Sequence, residues 1–257
     1  MTEKELMQAG CLYHGNDADL KKAALRSRQL VRLINSTTEE QREYRIELFK
    51  KLFKKTGDNF WVEPPFRCDY GCNIQIGNNF YANFDCIILD DGDVQIGDNV
   101  FLGPRVCIYT AGHPIDAEVR NTNLEYGKKI IIGDHVWIGG CTIINPGIVV
   151  GNNVVIGSGS VVTKDIPSNV VAAGNPCKVI RKITLDDHLY WKEQEQLYLK
   201  KLHTLQIGGM VLNEEQWIKE LREKRIAYGI SQGRLAVVSG ITREYLNKIE
   251  SGKMNII

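Results

Sequence analysis

"KKIIIGDHVWIGGCTIINPGIVVGNNVVIGSGSVV" (residues 128–162) repeats itself every six positions. Ile132, Ile138, Ile144, Val150, Ile156 and Val162 keep unbroken register, and glycine follows Ile132, Ile138, Val150 and Ile156. A helix repeats every 3.6 residues and a strand every two, so a strict six requires another architecture. Hexapeptide repeats imply a parallel β-helix, in which three hexads close one triangular coil and coils stack about 4.8 Å apart. The inward aliphatics fill the prism. The Gly or Asn that follows is expected at a tight corner, where positive φ costs little.

The same beat runs upstream through "IGNNFY" from Ile76, "IGDNVF" from Ile96, "LGPRVC" from Leu102, and Ile108. Ile108 and Ile132 stand 24 residues apart, a multiple of six, so the intervening insertion preserves register. A coil cannot hold the extra residues without breaking its ladder. Residues 109–129, "YTAGHPIDAEVRNTNLEYGKK", must therefore loop outward. Loops of this length in a regular fold are usually functional or disordered. Pro114 restricts His113 to extended backbone, which favours a histidine held near the prism wall over one on a loose tip. Without further context a lone histidine reads as a surface or packing residue.

Residues 1–57 read as helical. Leu20, Ala23, Ala24, Leu30, Val31 and Ile34 fall near helical spacing, as do Ile46, Phe49 and Phe53, with Gly57 as a stop signal. Residues 58–183 form the repeat region and 184–202 a further amphipathic helix; 203–213, with Gly208-Gly209, is a linker, and 214–257 a separate unit. The fold class is thus mainly β: a parallel β-helix with N-terminal helices, a projecting loop and a small all-α C-terminal appendage.

At 257 residues no disulfide or metal staple is required for a core. Lys and Arg number 32 against 31 Asp and Glu, which argues against a globally basic nucleic-acid binder. No apolar run approaches the roughly 20 residues of a membrane span, and "MTEKELMQAG" lacks a signal-peptide core. A soluble, cytoplasmic protein with no membrane partner is expected. Seven cysteines, odd in number and scattered, do not make a disulfide framework. Cys68 and Cys72 lack a second ligand pair, so they read as buried apolar residues, and no metal is expected.

Four strings carry a resemblance: "PPFRCDYGCNIQIGNNFYANFDCIILDDG", "IGDNVFLGPRVCIYTAGHPID", "KKIIIGDHVWIGGCTIINPG" and "GSVVTKDIPSNVVAAGNPCKVIRKI". With "CLYHGNDADL" near the start, residues 3–183 resemble the maltose/galactoside O-acetyltransferase group of the hexapeptide-repeat acyltransferases. The resemblance implies a left-handed β-helix and acetyl transfer from acetyl-CoA to a sugar hydroxyl. It also implies a homotrimer with active sites between subunits, a threefold assembly that the apolar prism faces make physically sensible.

It further implies roles. His113, in the family's T-A-x-H-P motif, would be the general base, a task suited to imidazole. Attack creates an oxyanion, for which the backbone N–H near Gly140 is the matching donor. No covalent acetyl-enzyme is needed, so neither Cys107 nor Cys141 is cast as nucleophile. Asn83 would bind the acceptor and orient the reacting groups, while Asp91 and Asp17 would accept hydrogen bonds from sugar hydroxyls. The bland alternatives are a coil-corner Asn83, a helix-capping Asp17 and a merely packed Trp137. Trp137 would wall the acetyl or pantetheine channel, and Thr163, Lys164, Lys178 and Arg181 would meet the nucleotide end of CoA, with Ser158 and Ser160 offering backbone donors.

Residues 214–257 do not resemble the transferase. They resemble the first three helices of a phage-repressor-type helix-turn-helix, with Ser231 and Thr242 as caps and Leu235, Ala236, Ile241, Leu246 and Ile249 as its core. Eight Lys and Arg against six Glu give the unit a weak positive balance, which favours a fused or truncated remnant over a working DNA reader. The competing function is a DNA-binding regulator that uses the β-helix to oligomerise or sense a ligand.

Overall fold

The hexads close into coils, and the coils stack. The computed structural model describes residues 1–207, 214–238 and 242–251. Three ladders of parallel strands make the prism walls. One joins strands 74–76, 94–96, 130–132 and 149–150; the second, 66–68, 86–89, 107–109, 143–144 and 161–162. The third runs through 61–62, 81–82, 101–102, 137–138, 154–156 and 170–173 and ends on the antiparallel strand Lys178–Lys182. Inward Ile and Val side chains, from Ile74 to Val170, form one continuous buried core.

The coils are not of equal length. Ile76 pairs with Ile96 at a step of 20 residues, whereas Ile132 pairs with Val150 at a step of 18. Between them Ile96 pairs with Ile132, so the loop-bearing coil takes up 36 residues and the register survives the insertion.

Of the Gly and Asn expected at the tight corners, asparagine takes them, while the glycines after the inward aliphatics do not. Positive φ falls instead on Asn79, Asn99, His135, Asn153 and Asn169, with Asp85, Arg105 and Cys141 at another corner. The glycines are small because the next coil lies on top of them: a β-carbon at Gly97 would stand 2.2 Å from Asp134 Oδ1. Asparagine ladders, such as Asn79 Nδ2 donating to Asn99 Oδ1 at 3.0 Å, tie the corners together.

The N-terminal segment is helical with one exception. Helices α1 (Glu3–Gln8), α2 (Ala18–Asn35) and α3 (Arg42–Leu52) are interrupted by a strand, Leu12–His14. Thr2 and Glu5 make a capping box on α1, and Asp17 caps α2. Phe49, Leu52 and Phe53 plug the end of the prism; the rings of Phe49 and Phe66 meet edge-on at 5.5 Å. Helix α3 stops at Leu52 rather than at Gly57 because the solenoid captures the backbone early: Lys54 N–H donates to Ile74 O and Gly57 N–H to Ile76 O, both at 2.9 Å.

The loop is itself built. Strand Ala111–Gly112 pairs with Leu124–Gly127, which pairs in turn with Leu12–His14 from the N-terminus. The short helix α4 (Ala117–Arg120) crosses its outer end.

Residues 184–257 form a second compact unit. Helix α5 (Leu185–Ile207) runs five residues into the stretch read as linker, and Gly208-Gly209 lies outside the described residues. Helices α6 (Glu214–Ala227), α7 (Gln232–Val238) and α8 (Arg243–Glu250) follow, with Ser231 and Thr242 accepting the expected capping bonds. Ala236, Leu246 and Ile249 are buried and Leu235 half-buried; Ile241 lies outside the described residues. Glu250 accepts from Arg225 Nε at 2.7 Å and from Gln232 Nε2 at 2.7 Å, an ionic clasp between α6 and α8. No helix among the described residues is long and apolar enough to cross a membrane.

Candidate active site

One corner of the prism differs from the others. Ile144 to Val150 covers the turn between two walls in six residues, but the equivalent Ile88 to Ile96 takes eight. The extra residues bulge at 69–73 and 90–93, and the 109–129 loop leaves from the same corner one coil higher. Asp69, Asp90, Asp91 and His113 are thereby stacked beside one another.

Asp69, Asp91 and His113 border a cavity of about 620 Å³ whose lining also includes Arg28, Tyr70 and Glu125. Asp90 organises its floor from beneath: its carboxylate accepts from the N–H groups of Asp69, Tyr70 and Asn73 at 3.1, 2.8 and 3.2 Å. Burial is the main cause that lifts the Asp90 carboxyl to about 7, against the pull of the Tyr70, Gly71 and Asn73 backbone N–H groups. Asp91 is only 6% exposed, and Tyr13 donates to its Oδ1 at 2.6 Å. Burial, then the Asp91 carboxylate, holds the Tyr13 hydroxyl far above its usual range, so it remains a donor.

The loop is pinned at both ends. Thr110 Oγ1 accepts from Gly92 N–H and donates to Leu89 O, both at 2.7 Å. A β-carbon at Gly127 would meet the Asp91 carbonyl carbon at 2.6 Å, so the returning strand lies directly on the Asp91 backbone. Arg120 Nη1 donates to Pro114 O and Ile115 O at 3.0 and 2.9 Å, which closes the turn behind His113. His113 is exposed at the cavity mouth, and Glu125 faces it. Burial and the Asp91 charge raise the Glu125 carboxyl, while His113 and the Tyr13 hydroxyl pull it down.

A second feature lies along the wall that contains strands 81–82, 101–102 and 137–138. It is a groove of about 610 Å³ lined by Asn83, Trp137, Gly140 and Ser158 together with Tyr81 and Phe101. Phe101 and Trp137 stand 49% and 56% exposed, in strict register on adjacent coils. Asn83 is not idle there: its Oδ1 accepts from Phe84 N–H at 2.8 Å.

The sequence-derived residues thus divide. His113 and Asp91 share the polar cavity; Asn83, Trp137, Gly140 and Ser158 share the aromatic groove. Thr163, Lys164, Lys178 and Arg181 are exposed on the last coils. Asp17 and Ser160 also fall outside both spaces, each engaged by the protein's own hydrogen bonds. Asp17 Oδ1 accepts from Asp19 and Leu20 N–H at 2.9 and 3.1 Å, a helix cap, while its neighbours Gly15 and Asn16 line the cavity. Ser160 is fully buried, donating to Gly157 O and accepting from Gly174 N–H at 3.1 Å. Sequence reasoning missed Tyr13, Arg28, Asp69 and Glu125. The eight-residue spacing at the bulged corner marked Asp69; nothing local marked the others.

The segment at 6–57 matches the family described as maltose acetyltransferase hexapeptide capping motif, and 129–164 matches bacterial transferase hexapeptide repeats. The galactoside O-acetyltransferase of Escherichia coli is 47% identical over 75% of this chain and 95% of its own. The chain belongs to the maltose/galactoside O-acetyltransferase family. A crystal structure of a maltose O-acetyltransferase from Clostridium difficile is 56% identical and superposes with a TM-score of 0.71, covering 72% of this chain and 98% of that one. A galactoside acetyltransferase in complex with coenzyme A gives 0.72 at 47% identity, over 73% of this chain and 94% of that one. Family membership accounts for the solenoid and its loop; it does not account for the tail, where residues 221–256 match a helix-turn-helix family.

Proposed function

We propose that the protein transfers the acetyl group of acetyl-CoA to a hydroxyl of a maltose-, glucose- or galactoside-like sugar. The observation that carries this is a histidine set at the mouth of a cavity lined by carboxylates, which suit a polyhydroxylated acceptor. The named activities of the relatives support the same reaction class.

His113 accepts the proton of the acceptor hydroxyl as that oxygen attacks the acyl carbon. Asp91 and Glu125 accept from neighbouring sugar hydroxyls and fix the reacting one. The aromatic groove fits the pantetheine arm of CoA, because Trp137 and Phe101 present flat apolar surface along it. Lys164, Lys178, Arg181 and Thr163, all exposed on the last coils, would meet the phosphates. Bound acetyl-CoA supplies an activated thioester. Gly140 N–H is the donor assigned to the developing oxyanion, and Asn83 orients the reacting groups.

Because the cavity and the groove are separate spaces on one chain, we assign the complete site to a homotrimer in the cytoplasm, in which a neighbour's groove faces the His113 cavity. Free-thiol release measured with a panel of sugars tests the reaction. His113→Ala should lower the rate about 10²–10⁴-fold. Equal rates in the two proteins, or no sugar-dependent release by the wild type, would falsify the proposal.

A second reading, a DNA-binding regulator, is favoured by the helix-turn-helix match and the capped α8. A mobility shift that disappears when residues 205–257 are removed supports it; a shift that is absent or unchanged removes it.

A further inference from the structure

Asp91 presents one carboxylate oxygen that no protein group satisfies. Its Oδ1 takes the Tyr13 hydroxyl at 2.6 Å, but its Oδ2 is buried beside the cavity without a hydrogen-bond partner. Leaving such an oxygen unsatisfied is costly. The Asp69 carboxyl lies within hydrogen-bonding reach of Asp91 and lines the same cavity. Two bare carboxylates so placed repel, while the Asp69 backbone is held by Asp90 and Asp91 by Tyr13 and the loop strand. The three aspartates do not converge as metal ligands.

We propose that Asp69 and Asp91 share one proton, carried by Asp69 and donated to Asp91 Oδ2, and that this carboxyl–carboxylate pair positions an acceptor hydroxyl beside His113. The pair offers such a hydroxyl both a donor edge and an acceptor edge, which two ionised carboxylates could not. Its role in acceptor binding rests on the sugar-acetylation reading above.

The surroundings favour the proton. Burial, then the charges of Asp91 and Asp90, raise the Asp69 carboxyl to about 7, with Arg28 alone among the main influences opposing. Around the corner stand Arg28 and Lys21 from α2, Tyr13 from the N-terminal strand, Tyr70 beside Asp69, and His113 and Glu125 from the loop. Beneath lie Asp90 and the Cys68 and Cys72 thiols, both pushed up by burial. The Asp90 carboxylate is already engaged by three backbone N–H groups, so it is not the donor that Asp91 lacks.

Two measurements test the pair. At saturating acetyl-CoA, the wild-type KM for the acceptor should climb about tenfold per pH unit once the shared proton is lost above neutrality, while kcat changes little. Asp69→Asn, a neutral donor of the same shape, should keep the low KM and abolish that climb. Asp69→Ala should show the raised KM at every pH. An Asn variant that retains the wild-type pH dependence overturns the proposal. Infrared difference spectra of the acceptor-free protein between pH 6 and 8.5 give a readout independent of catalysis: of the protonated-carboxyl bands that titrate in the wild type, the one from Asp69 should be missing in Asp69→Asn while that of Asp90 remains. Identical spectra overturn the shared proton even if sugars are acetylated. A titrating Asp69 band in a protein that acetylates no sugar overturns the acceptor role and the sugar reading instead.

Discussion

Tyr13 donates its hydroxyl to Asp91 Oδ1 across 78 residues of sequence, at 2.6 Å and out of solvent. The bond welds the strand Leu12–His14 to the coil corner on which the cavity is built. Tyr13→Phe removes the donor and leaves the buried Asp91 Oδ1 unsatisfied, so unfolding free energy should fall by about 1–3 kcal/mol in urea titrations. The acceptor KM should rise as Asp91 reorients. An unchanged KM would show that Asp91 is positioned by other contacts.

Gly15 gives Glu125 its place. A β-carbon there would stand 1.9 Å from Glu125 Oε1, the far end of a flexible side chain. Gly15→Ala should therefore leave thermal stability nearly intact while displacing Glu125 from the cavity. Steady-state kinetics should show a weakened acceptor with the KM for acetyl-CoA unaltered.

Trp137 tests the groove. Trp137→Ala strips flat apolar surface from its wall without opening the prism, because the side chain points outward at 56% exposure. The KM for acetyl-CoA should rise about tenfold, equivalent to ~1.4 kcal/mol, and the acceptor KM should stay put. A change confined to the acceptor would place CoA elsewhere.

The raised Asp69 carboxyl also sets a stability profile. Between its unfolded value near 3.9 and its folded value of about 7, the native state binds the extra proton. Stability is then fully present below about pH 4, declines as pH rises through that window, and levels off above it. Asp69→Asn should flatten this part of the curve and make the protein more stable than wild type at pH 8, as read by thermal melts.

In the helical unit the sign reverses. The Arg225 guanidinium holds the Glu250 carboxyl below its usual range, so this contribution is present at neutral pH and lost on acidification. Glu250→Ala should loosen α8 and expose 214–251 to limited proteolysis at pH 7, with the difference from wild type shrinking as pH falls.

Much of the solenoid was legible because a hexad repeat is local: each inward Ile or Val meets its equivalent one coil away, so periodicity and packing carry the same information. The caps at Asp17, Ser231 and Thr242 were readable for the same reason, since a cap bonds to residues two or three positions on. His113, Asp91 and Trp137 were found through long motifs, and the structure sets the first two at one cavity and the third in a separate groove.

What escaped was non-local. Tyr13 and Glu125 meet at Asp91 only because the loop strand pairs with a strand from the N-terminus, and no spacing records a contact across 78 or more residues. The fate of Ser160 was equally hidden, since its hydroxyl is taken up by Gly157 O and Gly174 N–H, bonds that pattern alone does not display. The sequence by itself determined the repeat, the register and the exit of the loop, because these follow from side-chain size every six residues. Only the tertiary structure decided which carboxylates face one another, because burial and proximity, not residue identity, set where a proton resides.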